Sequence, residues 1–146
     1  MSVFKEREIA DFVFSDEWLG NTMLFIAGPR QCGKTSLVRK FLEEKGCLSL
    51  YYNWDIEKVR TRYRKDPDFF VKEASLLRIE KPYVALDEIH KMTRWKNILK
   101  GIYDEYQHLI SIIVAGSARL DLFLPHLFPG LKSGLGNGTE IISPFW

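Results

Sequence analysis

Eight consecutive residues, Gly28-Pro29-Arg30-Gln31-Cys32-Gly33-Lys34-Thr35, fit the pattern G-x-x-x-x-G-K-[ST], and Ser36 follows. The two glycines let a backbone curl so that successive N–H groups face one concavity, where an anion meets them with no Cβ in the way. Lys34 adds a point charge suited to β and γ phosphates, and the Thr35 hydroxyl suits Mg²⁺. A helix starting nearby contributes the positive end of its dipole. Cys32 occupies a variable position of the loop. A thiol near a helix N-terminus is acidified, which opens an oxidative route to blocking the loop, although a merely small side chain explains it as well.

A second pair, Asp87-Glu88, closes the apolar run Tyr83-Val84-Ala85-Leu86. In phosphate-loop nucleotidases an acid at this place holds Mg²⁺ through water, and its neighbour orients or deprotonates the attacking water. Both side chains can serve one ligand if the pleat breaks at the strand end. A third candidate, Ser117, follows the apolar stretch Leu109 to Ala115 and Gly116. Its hydroxyl suits either a γ-phosphate contact or a helix N-cap.

These residues need a scaffold that brings them together. Met23 to Ala27 is an apolar strand leading into the loop, and Leu37, Val38, Phe41 and Leu42 repeat at helical spacing until Gly46. Leu48 to Asn53 reads as a second strand. A helical stretch then carries Ile56, Val59 and Tyr63, is interrupted by Asp66-Pro67, and resumes through Phe70, Ala74 and Leu77. Trp95, Ile98, Leu99, Ile102 and Tyr106 trace the buried stripe of another helix. Leu120, Phe123 and Leu124 suggest a short helix, Gly130 to Gly138 a mobile loop, and Thr139 to Ser143 a final strand. Strands alternating with helices predict a parallel sheet covered on both faces, with ligands outside the carboxyl ends of the strands. Gly28, Asp87 and Ser117 all fall at such ends.

At 146 residues the chain suits one domain. We divide it into a lead-in segment, residues 1–20, and a core, residues 21–146. Lys and Arg total 21 against 19 Asp and Glu, a formal net charge of +2, too little for a domain-wide nucleic-acid footprint. The basic run Lys58, Arg60, Arg62, Arg64 and Lys65 spreads around a helix and reads as a solvated face. No secretory signal or membrane span is evident in the sequence. Cys32 and Cys47 form no ligand cluster with His90, His108 and His126, so a reducing cytoplasm is the expected setting.

Together GPRQCGKTSL, YYNWD, ALDEIHKMTRWKNILKGIYDEY and IIVAGSARLDLF resemble the prokaryotic AAA+-like ATPases that usually carry a distinct C-terminal domain. The resemblance spans roughly residues 20 to 123. It implies a P-loop NTPase three-layer α/β sandwich whose parallel five-stranded sheet has the order 5-1-4-3-2. It also implies ATP and Mg²⁺ as ligands, with Gly28 through Ser36 binding phosphate, Thr35 and Asp87 serving the metal, and Glu88 acting in hydrolysis. Lys34 and Ser117 complete the implied catalytic set, Ser117 at the sensor position. Arg30 matches an arginine common in this family's loop.

Two departures stand out. Where the family usually has a Gly-Arg pair that would supply an arginine finger, the counterpart here is Gly136-Asn137. The family's C-terminal region has no counterpart before Trp146, which suggests a truncated chain. The expectation is an ATP-binding core with slow turnover that moves a protein partner or a missing domain. The alternatives are a non-hydrolysing nucleotide-dependent module that binds nucleic acid and, less favoured, a small-molecule kinase.

Overall fold

The computed structural model describes residues 23–27, 34–116, 132–136 and 139–143. Six strands form one sheet. In chain order they are β1 (Met23–Ala27), β2 (Tyr51–Asn53), β3 (Tyr83–Asp87), β4 (Ser111–Gly116), β5 (Lys132–Gly136) and β6 (Thr139–Ser143), and across the sheet the order is β2-β3-β4-β1-β6-β5. β2, β3, β4 and β1 are mutually parallel. Between them run α1 (Lys34–Glu44), α2 (Glu57–Lys65), α3 (Phe69–Leu76) and α4 (Trp95–Tyr106).

In a strand, adjacent side chains point to opposite faces. Met23, Leu24, Phe25 and Ile26 are nevertheless all buried, as is every residue of β4. Both faces of the central sheet are therefore covered, and the near-continuous apolar runs seen in the sequence are what such strands require. Phe41 and Leu42 of α1, Phe69 and Phe70 of α3, and Leu99 and Ile102 of α4 complete the core.

Local stops set the elements. Gly46 has φ of +72°, and the chain around it closes α1 with paired bonds: Gly46 N–H to the Glu43 carbonyl (3.1 Å) and Cys47 N–H to the Leu42 carbonyl (2.7 Å). This is the Schellman arrangement, and the left-handed residue at its centre is the reason for a glycine there. The expected strand from Leu48 is shorter than predicted: Leu48–Leu50 forms a 3₁₀ turn, and pairing begins at Tyr51.

The far side of the sheet differs from expectation. The predicted parallel fifth strand, Thr139 to Ser143, does lie beside β1, but it runs antiparallel to it. The segment read as a mobile loop contains β5, which pairs antiparallel with β6 from Lys132↔Ser143 to Gly136↔Thr139. Only Asn137 and Gly138 separate the two strands. Two residues suffice for a hairpin, whereas a parallel return needs a crossover of a dozen or more, and Asn-Gly is a strong hairpin signal. The lead-in segment, the phosphate-loop residues Gly28 to Gly33, Ser117 and the predicted helix around Leu120 lie outside the described residues.

Candidate functional site

The register aligns the carboxyl ends of the parallel strands. Ala27 pairs with Gly116, Asp87 with Ala115, and Asn53 with Asp87. One edge of the sheet thus gathers the ends of β1, β4, β3 and β2. The segment joining Ala27 to Lys34 starts from this edge, and Ser117 is the next residue after Gly116.

Across this edge the structure joins two residues that are far apart in sequence. Thr35, in the first turn of α1, donates its hydroxyl to Asp87 Oδ2 at 3.0 Å. Asp87 is 2% exposed at the end of β3. Tyr51, the first residue of β2, donates its phenol hydroxyl to the same Oδ2. Burial, then the hydrogen bond to Asp87 and the charge of that carboxylate, push the Tyr51 phenol well above its ordinary value. The phenol is therefore a standing donor. The Arg39 guanidinium lies 5.6 Å from the centre of the Tyr51 ring, which helps fix its orientation.

Glu88 follows with φ of 60° and ψ of 26°, left-handed backbone that a non-glycine residue adopts only when its surroundings impose it. Its N–H bonds to the Ala115 carbonyl at 2.8 Å, which anchors the break in β3 to β4. The expected interruption of the pleat is thus present. The two carboxylates have different neighbours: Asp87 meets α1 and β2, whereas Glu88 Oε2 lies 3.3 Å from His90 Nε2 and 4.0 Å from Lys91 Nζ. Burial lowers the His90 pKa, an effect that the Glu88 charge partly offsets. Lys91 also pairs with Asp55, just beyond β2.

Thr35 and Asp87 offer hard oxygen donors of the kind Mg²⁺ takes. Among the described residues no group of three or more His, Cys, Asp or Glu is placed to hold a metal by itself. A magnesium site with one carboxylate, completed by phosphate and water, has this composition. The residues present fit such an ion.

A family model described as AAA domain matches residues 20–126, well over half of the chain. This chain belongs to the AAA domain family. It is a nucleotide-binding AAA-like domain. No curated protein and no solved structure gives a match.

Of the residues predicted for the site of this AAA domain, the structure brings Thr35 to Asp87 and leaves Glu88 beside Asp87 but turned to other partners. Ser36 lies exposed on α1, and Lys34 begins that helix. Sequence reasoning missed Tyr51, His90 and Lys91. Tyr51 stood within the quoted YYNWD and looked like an ordinary aromatic strand residue. His90 and Lys91 follow Glu88 by two and three positions, a spacing that gains meaning only once Glu88 is known to cap a 3₁₀ turn, Ile89–Lys91.

No helix among the described residues is long and apolar enough to cross a membrane. Part of the basic run is engaged within the chain. Arg60 donates to the Trp54 carbonyl, and Arg62 pairs with Glu73 and lies 4.5 Å from the Phe69 ring centre.

Proposed function

We propose that this AAA domain binds ATP with Mg²⁺ and hydrolyses it slowly, using the change in γ-phosphate state to move a protein partner or a domain attached to it. The observation that carries this reading is the Thr35 hydroxyl on the Asp87 carboxylate, which joins the helix after the phosphate-loop motif to the acid ending β3. In the proposed site, Gly28 through Ser36 cradle the phosphates. Lys34 supports the β and γ positions, Thr35 and Asp87 hold the ion, and Glu88 orients the attacking water. Mg²⁺, when bound, would neutralise part of the phosphate charge. Ser117 is proposed to sense the γ-phosphate. Arginine fingers contribute about 10³ to 10⁵ in rate, and the resemblance drawn from the sequence sets Asn137 where the family usually has its arginine, which is why we expect slow turnover.

The internal bonds of Arg60 and Arg62 weaken the nucleic-acid alternative. Binding of Mg-ATP and release of phosphate test the main reading. Lys34→Ala is expected to weaken ATP binding by about tenfold or more, since a charge-assisted contact is lost. Glu88→Gln is expected to keep binding and to reduce phosphate release about 10²-fold to 10⁴-fold. Unchanged ATP affinity in Lys34→Ala would remove the phosphate-loop assignment, and unchanged turnover in Glu88→Gln would remove Glu88 from its role.

A further inference from the structure

We propose that Tyr51 is a positioning residue for the metal-binding acid, its phenol hydroxyl holding the Asp87 carboxylate in place from the β2 side while Thr35 holds it from α1. The inference rests on the reading of Asp87 and Thr35 as the magnesium pair. It starts from the convergence of two hydroxyls from different elements, Thr35 on α1 and Tyr51 on β2, on the single atom Asp87 Oδ2.

The two donors differ in what else they can do. Thr35 stands directly after Lys34 in the loop motif, where its oxygen can serve a cation through a lone pair while its O–H still donates to Asp87, so its position must answer to both. Tyr51 comes from the far side of β3, where Tyr51 pairs with Ala85 and Asn53 with Asp87 itself. The ladder continues one step further, from Trp54 N–H to the Asp87 carbonyl at 2.8 Å. The backbone that carries the phenol is thus tied to the backbone that carries the acid. The Arg39 guanidinium lies close to the ring. A buried carboxylate is costly to hold charged without donors, and Tyr51 supplies one that is tied to the strand next to β3 and serves the acid alone in the proposed site.

The chemistry also sets a limit on Tyr51. A neutral phenol that donates to Oδ2 leaves the acid ionised, as metal binding requires, and adds no charge to compete with the cation. An amine or guanidinium in its place would repel the ion. The role therefore fits a tyrosine hydroxyl well.

The test is titration of a fluorescent ATP analogue with and without Mg²⁺ on the whole chain, for the parent, Tyr51→Phe, Asp87→Asn and the double variant. Thermal melting of each runs alongside, and Phe keeps the ring beside Arg39. Tyr51→Phe is expected to leave metal-free nucleotide affinity within about twofold and to cut the affinity gained from Mg²⁺ about tenfold, the scale of one hydrogen bond to a charged group. It should add nothing to Asp87→Asn, which is expected to lose that gain. If Asp87→Asn loses the gain and Tyr51→Phe retains it in full, the inference is overturned and the magnesium reading stands. If Asp87→Asn keeps the gain, the magnesium reading fails and takes the inference with it. An equal loss of affinity with and without Mg²⁺ in Tyr51→Phe, or a collapse of its melting transition, would assign Tyr51 to packing and also overturn the proposal.

Discussion

Asp87 and Glu88 are neighbours in sequence with opposite surroundings, and the left-handed Glu88 backbone separates them. Asp87 receives two hydroxyl donors, whereas Glu88 faces an imidazole and an ammonium. The His90 side chain is 14% exposed, and its burial is the main reason its pKa lies below the ordinary 6.5. The folded chain therefore binds a proton at His90 less readily than the unfolded chain. The associated stability is present above pH 6.5 and is lost as pH falls from there towards the folded-state value, because the unfolded state takes up the proton first. The charged groups around the imidazole, Glu88, Asp55 and Asp87 against Lys91, modulate this without reversing it. Urea unfolding at about pH 7.5 and about pH 5.5 should show the loss, and His90→Gln should reduce it. Equal pH dependence in parent and variant would show that His90 does not contribute.

At the scale of elements, α3 shows how one helix divides its residues between core and solvent. Phe70 is fully buried and meets Phe69 and Tyr106 edge to face, with ring centres 5.7 and 6.1 Å apart. Leu76, on the same helix, is 79% exposed. Tyr106 of α4 adds a hydroxyl bond to Asp68, just ahead of α3, and Arg62 of α2 pairs with Glu73. Phe70→Ala is expected to cost about 3 to 5 kcal/mol, and Leu76→Ala no more than about 0.5 kcal/mol, in denaturant unfolding. Comparable losses at the two positions would contradict this packing.

For the whole molecule, the sheet predicts a gradient of local stability. β3, β4 and β1 have hydrogen-bonded strands on both sides, whereas β5 closes one edge. Amide hydrogen exchange is expected to be slowest in Val84 to Leu86, Ile112 to Val114 and Leu24 to Ile26, and clearly faster along β5. Protection of β5 equal to that of β4 would mean that its outer edge is covered. The parallel core was legible in the sequence because strands buried on both faces must be apolar at every position, and a helix must repeat its apolar positions every three to four residues. The β5–β6 hairpin was less legible, since its glycines suggest a loop unless Asn137-Gly138 is read as a turn joining two strands.

The site divides in the same way. The proposed chemistry can be read from the sequence because binding phosphate and magnesium would constrain residue type and spacing within short stretches: the G-x-x-x-x-G-K-[ST] pattern and the acids after an apolar run. The site's supporting contacts were not legible there, because they join residues distant in sequence. Tyr51 reaches Asp87 only because β2 pairs with β3 in one particular register, and His90 and Lys91 reach Glu88 only because the backbone turns left-handed at that residue. Local chemistry determined which residue types were needed, and the tertiary structure decided which other side chains hold them.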